Sequence, residues 1–163
     1  MVVKPLFGSQ GNGIRKAACE AELPSEPEVG SVYYTQRYLR RDDETSFADW
    51  RVLVSRGRVL AAMSRVGQTW ITNIHQGAEA RELGLDGVHG KELVDLALAA
   101  TAAIGADYAG VDLIRDEGGR LLVLEINSNP AWKGLQSVTE VEIARALAED
   151  FLAGLAATAS ARG

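Results

Sequence analysis

Two short runs around a glycine-rich turn, DYAGVDLI and LLVLEINSNP, carry acids and an amide among apolar residues: Asp112 on the first, Glu125 and Asn127 on the second. Alternation of this kind marks half-buried strands, and Asp116-Glu117-Gly118-Gly119 between them suits a tight antiparallel turn. A turn that pairs Arg115 with Arg120 sets Asp112 opposite Val123. Asp112, Glu125 and Asn127 then share one face, while Val111, Leu113, Leu122, Leu124 and Ile126 take the other. Close carboxylates repel unless a cation neutralises them, and hard oxygen donors favour magnesium or manganese over zinc. The hairpin alone fits equally well a half-solvated strand pair with ordinary surface acids.

The elements that would position these groups are legible along the chain. Met1-Val2-Val3 reads as a strand leading into Lys4-Pro5, followed by Gly8-Ser9-Gln10-Gly11-Asn12-Gly13. A short helix is expected over 14–21 and a strand over 32–39. The charged stretch Arg40 to Thr45 is the expected lobe boundary, dividing the chain into 1–39 and 40–163. A second hairpin is expected over 49–54 and 58–64 about Arg56-Gly57, and a loop with some strand character over 70–84. Leu93, Leu96, Ala97 and Ala100 make a helical stripe within 91–104, with Gly105 just past its end. A last helix is expected from Thr139, capped by Thr139 and Glu142, burying Ile143, Leu147 and Phe151 and fraying beyond Ala156.

With 163 residues, 47% of them hydrophobic, the chain can form one compact domain, or one domain and part of another. A net charge of -5 and a sequence pI near 5.1 argue against nucleic-acid backbone as the main partner. Cys19 is the single cysteine, which excludes an internal disulfide, points to a reducing cytoplasm and suits a packing role better than a catalytic thiol. The longest apolar stretch, 96–104, is far below the roughly 18 residues a membrane helix needs.

Lys4 precedes the glycine cluster, so the loop is not of the Walker A type, and Lys16 stands where a dinucleotide fingerprint needs a third glycine. What is left is a glycine loop whose amides can approach phosphate, beside a strand-borne ammonium.

The ordered strings VVKPLFGSQGNGI, AAMSR, TNIHQG, YAGVDLI and LEINSNP resemble the ATP-grasp ligases, and within them the RimK-like glutamate ligases, over essentially the whole chain. The resemblance implies an α+β ATP-grasp fold: a mostly antiparallel large-lobe sheet with flanking helices, and part of the small lobe. It implies ATP between the lobes, with Lys4 and the loop from Gly8 through Ser9, Gln10, Gly11 and Asn12 to Gly13 on its phosphates. Gln36, Arg37, Tyr38 and Leu39 resemble the adenine hinge, although the family commonly has Glu where Arg37 stands. Asp49 corresponds to a residue on the ribose side. Arg65 and Asn73 match residues near the phosphates and the reacting acyl group. Asp112, Glu125 and Asn127 match ligands for one or two magnesium or manganese ions. Arg51 is either an acyl-phosphate contact or a strand salt-bridge partner. His75 and His89 read as loop or cap residues, Trp50, Trp70 and Trp132 as packing or pocket walls, and Arg37, Arg40 and Arg41 as a solvated cluster.

The activity so implied joins L-glutamate to the carboxylate of a small molecule or peptide through an acyl phosphate, releasing ADP and phosphate. The run from Asn129 to Leu135 departs from the protein modifiers and is similar to the branch that acts on tetrahydromethanopterin-type cofactors, with Trp132 shaping the acceptor pocket. The resemblance also implies that an amino-terminal domain and part of the small lobe lie upstream. A non-catalytic fragment, or a homo-oligomer that covers an exposed edge strand at Met1 to Lys4, is the alternative from another class.

Overall fold

Side-chain alternation along one strand organises the computed structural model, which describes residues 1–7, 11–39 and 47–160. Gly8, Ser9, Gln10 and the charged connector lie outside the described residues. The central strand, β4 (Phe47–Ser55), turns Trp50, Val52 and Val54 to one side and Asp49, Arg51 and Leu53 to the other. It pairs antiparallel with β5 (Arg58–Gly67) and β7 (Tyr108–Arg115). With β6 (Glu79–Glu82) and β8 (Leu121–Asn127) at the edges, the sheet has the order β6-β5-β4-β7-β8. Arg56 and Gly57 both have positive φ, at 47° and 71°, the geometry of a two-residue type I′ turn, so this hairpin forms where the sequence places it.

The first face is covered by α1 (Gly87–Ala103), whose Leu93, Ala97 and Ala100 pack on Val52, Val111 and Leu113. The opposite face is divided. At one end Leu53, Ala61 and Met63 are covered by Leu135 of α2 (Lys133–Gln136) and Ile143 of α3 (Ile143–Ser160). At the other end no helix among the described residues covers it, and polar side chains replace apolar ones. A three-stranded sheet, β2-β1-β3, stands over this open end, built from β1 (Val2–Lys4), β2 (Arg15–Lys16) and β3 (Tyr34–Gln36).

Several expectations are corrected. β1 is the middle strand of its sheet, so Met1 to Lys4 is no exposed edge in search of a partner. The helix expected over 14–21 is instead β2 followed by a 3-10 turn, Glu20–Glu22, because pairing with β1 satisfies this backbone and buries Ala17. Cys19 is exposed rather than packed. β3 is shorter than its predicted span, and β6 and the 3-10 turn Ile74–Gln76 occupy the expected loop. α1 begins at Gly87, ahead of Lys91.

The last helix starts at Ile143, whose N–H donates to the Gln136 side chain at 3.0 Å, and it runs to Ser160. Thr139 accepts from Val141 rather than closing a box with Glu142. Phe151 is 66% exposed: at this turn of the helix it is Asp150 that meets the sheet, 2.8 Å from Arg58. Trp132 packs against the Leu53 and Leu135 cluster instead of lining the cleft.

The register of β7 and β8 differs as well. Leu113 faces Val123 and Arg115 faces Leu121, and an irregularity between Asp112 and Leu113 then sets Asp112 directly opposite Glu125. Leu122 therefore pairs with Ile114 and leaves the greasy face, where Leu121 packs instead. Continued without a shift, the pairing of Leu113 with Val123 would set Asp112 opposite Leu124; the bulge sets it opposite Glu125, so the acids meet on one face as expected.

Gly90 sits where α1 meets its own entry segment. A Cβ there would lie 2.2 Å from the Leu85 carbonyl oxygen. Gly90→Ala is therefore expected to destabilise by about 1–3 kcal/mol, against the gain alanine usually brings to a helix, read as a lowered urea midpoint.

Candidate functional site

The uncovered end of the large sheet and the underside of the small one enclose a cleft of about 1240 Å³. Lys4, Gly11 and Asn12 line it from the small sheet, and Gln36, Arg37, Tyr38 and Leu39 from the segment leaving β3. Asp49, Arg51, Arg65 and Asn73 lie on its floor and far wall, beside Asp112, Glu125 and Asn127. Of the described residues singled out in the sequence as binding or catalytic, Gly13 alone falls outside the lining; its φ of 74° makes it a turn residue against Pro5.

The floor is a row of charges set by strand register. Asp49 on β4 faces Arg65 on β5, Arg51 on β4 faces Asp112 on β7, and Asp112 faces Glu125 on β8. Arg65 forks onto Asp49, with Nε 2.7 Å from Oδ1 and Nη2 2.6 Å from Oδ2, and Thr72 Oγ1 donates to Oδ2 at 2.7 Å. The same Nη2 reaches Asp112 Oδ2 at 3.0 Å. Arg51 makes a second fork, donating Nε to Oδ1 of Asp112 and Nη2 to Oδ2 at 2.8 Å. Paired planar donors of this kind fix orientation as well as charge.

Burial and charge compete along the row. Burial pushes the Asp49 carboxyl above its usual range despite Arg65. Burial also acts to raise Asp112, but the Arg51 hydrogen bond and the nearby Arg65 charge outweigh it and hold the group below the usual range. Arg65 is held charged above its ordinary value, because Asp112 and Asp49 overcome the effect of burial.

Asp49, expected on the ribose side, has both carboxylate oxygens committed to Arg65 and Thr72 and is 1% exposed, so its immediate role is to hold Arg65. Asn73 caps the 3-10 turn, accepting from the His75 N–H at 2.8 Å. Asn127 accepts from the Asn129 N–H at 2.9 Å. No three Asp, Glu, His or Cys side chains converge as a cation cage among the described residues. A cation here would be held by two opposed carboxylates and an amide, a donor set of hard oxygens that fits magnesium or manganese.

Three features escaped sequence reasoning. Gly110 faces Asn127, and a Cβ there would come 2.6 Å from Pro130 Cβ and 3.4 Å from Arg51 Cδ, so its bare backbone lets Pro130 pack beside Arg51. Lys133 lines the cleft just beyond β8, where its short distance from LEINSNP could have flagged it. Lys16 places Nζ 3.7 Å from the Tyr38 ring centroid and 4.9 Å from that of Trp70, and the two rings meet edge to face at 5.9 Å. This cluster joins β2 to the segments after β3 and β5 at the cleft rim.

Arg65→Met strands the buried carboxylate of Asp49 and leaves Asp112 to Arg51 alone, so a loss of about 3–5 kcal/mol is expected in urea unfolding. Adding Asp49→Asn to it should recover part of that loss, since one uncompensated charge is then gone.

The RimK-like ATP-grasp domain family matches residues 1–151. The chain is 34% identical over 158 residues to the tetrahydromethanopterin:alpha-L-glutamate ligase of Methanococcus maripaludis, which covers 93% of this chain and 52% of that protein. It is 36% identical over 159 residues to the protein of the same name from Methanocaldococcus jannaschii, covering 93% and 53%. The chain thus spans about half the length of the curated relatives it matches. Among solved structures, the ATP-grasp ligase PsnB complexed with a phosphomimetic variant of its minimal precursor, Mg and ADP superposes with a TM-score of 0.59 at 22% identity, over 93% of this chain and 44% of that one. That likeness is one of fold, and it agrees with the antiparallel α+β architecture described above. The chain belongs to the RimK-like ATP-grasp domain family.

Proposed function

We propose that the protein carrying this chain is an ATP-dependent carboxylate–amine ligase that adds L-glutamate to an acceptor carboxylate. The observation that carries this reading is one cleft with Lys4, Gly11 and Asn12 on one wall and the opposed Asp112 and Glu125 on the other. The two sheets correspond to the small lobe, within 1–39, and the large lobe, within 40–163. Gln36 to Leu39 would meet the adenine through main-chain groups, and Gly8 to Asn12 with Lys4 the phosphates.

An acceptor carboxylate oxygen attacks the terminal phosphorus of ATP, the bond to the bridging oxygen breaks, and ADP leaves. The glutamate amine then attacks the acyl carbon of the mixed anhydride, phosphate departs, and the nitrogen loses a proton. Lys4 and Arg65 donate where negative charge develops, and Asn73 orients the acyl group. A magnesium or manganese ion held by Asp112, Glu125 and Asn127 would supply neutralisation of the polyphosphate charge. No protein nucleophile is needed, in keeping with the exposed, isolated Cys19.

The acceptor is a tetrahydromethanopterin-like cofactor in this reading, supported by the two archaeal relatives named for that reaction. A peptide acceptor is the alternative, and the relatives named as probable alpha-L-glutamate ligases carry no acceptor in their names. No helix among the described residues is long and apolar enough to cross a bilayer. Cytoplasmic residence and self-association belong to the same proposal.

In the protein that carries this chain, Glu125→Ala should lower magnesium-dependent ADP release with glutamate and acceptor by roughly a hundredfold or more. Retained release would sink the cation assignment. Exchanging a pterin acceptor for a carboxyl-terminal peptide in the same assay decides between the two acceptors.

A further inference from the structure

Asp112 has no oxygen free of arginine: Arg51 takes both Oδ1 and Oδ2, and Arg65 Nη2 lies 3.0 Å from Oδ2. A divalent ion set between Asp112 and Glu125 would face two guanidinium groups across the same buried carboxylate, a repulsion that solvent and salt screen much less than between exposed charges. One arginine must give way. Arg65 is pinned by its fork on Asp49 and is 5% exposed. Among the described residues Arg51 has no such second anchor; its other hydrogen bond there is a 3.5 Å contact to the Ala131 carbonyl, and its side chain is the more exposed of the two, 13% against 6%. The cleft lies directly beside it.

We propose that Arg51 is an exchangeable counter-ion for Asp112: a divalent cation binding between Asp112 and Glu125 displaces its guanidinium into the cleft, where the freed charge faces the anionic substrates. This rests on the cation assignment above and adds a coupling to it. Arg51 sets the affinity for the ion, and the ion sets the position of Arg51. Linkage makes the two effects equal in size. Arg65 stays in place and keeps Asp112 anchored through the exchange, which is why the carboxylate does not collapse toward the ion. The device orders events: the guanidinium is presented to an incoming phosphate or carboxylate after the cation has arrived.

Two measurements on this chain test it. Manganese titration followed by the electron paramagnetic resonance of free Mn²⁺ should give an affinity for Arg51→Met on the order of tenfold or more tighter than for the unmodified chain. Adding Glu125→Ala should abolish binding in both backgrounds. Separately, nitrogen–proton correlation spectra of the unmodified chain should show the Arg51 Nε–H resonance move to the position of a free guanidinium as Mg²⁺ is added, with that of Arg65 unmoved. This second readout does not depend on the variant folding.

Equal manganese affinity with and without Arg51, together with a stationary Arg51 resonance, overturns the exchange while sensitivity to Glu125→Ala leaves the cation site standing. Manganese binding that ignores Glu125→Ala, or no binding in either form, overturns the site and the exchange together.

Discussion

The cross-strand charge row on one face of the large sheet is the constraint around which the rest is arranged. β4 carries Asp49 and Arg51 two residues apart, and antiparallel pairing on both sides supplies each with the opposite charge directly across, Arg65 on β5 and Asp112 on β7. The same alternation sends Trp50, Val52 and Val54 into the core under α1. Slipping either neighbour by one residue would bury a charge among leucines and set like faces wrongly, so core and site enforce a single register. The two helices α2 and α3 cover the apolar end of the polar-bearing face and stop where the charges begin.

Local features of this arrangement were legible and long-range ones were not. The hairpin about Arg56-Gly57 follows from turn chemistry, and the acid-bearing pair β7 and β8 from period-two alternation. The bulge beside Asp112 has no sequence signal of its own, since it depends on how β7 must twist to pair with β4 and β8 together. Arg51 and Asp112 are 61 residues apart, and their pairing is a consequence of sheet order, which a single sequence does not reveal. The expected helix over 14–21 failed for a related reason: a neighbouring strand edge offered its backbone better partners than a short isolated helix could. Resemblance to the ATP-grasp ligases supplied what periodicity could not, namely that Lys4 and the distant Asp112 face a common cleft.

The small sheet meets the large one through specific contacts. Gly11 approaches so closely that a Cβ would lie 2.8 Å from the Gln76 side-chain nitrogen and 3.1 Å from Ile71. Lys16 lies over Tyr38 and Trp70 on the same rim. One is a requirement for absence of a side chain and the other a cation held by aromatic faces, and both join the small-sheet wall of the cleft to the segment after β5. A cation–aromatic contact of this kind is worth about 0.5–2 kcal/mol.

A buried row of four charges is a poor device for stability, because well-packed apolar side chains of similar volume would hold the strands at least as firmly. Its retention therefore needs a reason beyond the fold. Asp49 is largely consumed by Arg65, and Arg65 in turn steadies Asp112. Asp112 is then the anchored carboxylate that stands directly opposite the exposed Glu125, and both line the cleft. The inner pair works as a foundation for the outer one. Desolvation is borne by residues that need not move, so that the groups at the cleft can exchange partners without loosening the sheet beneath them.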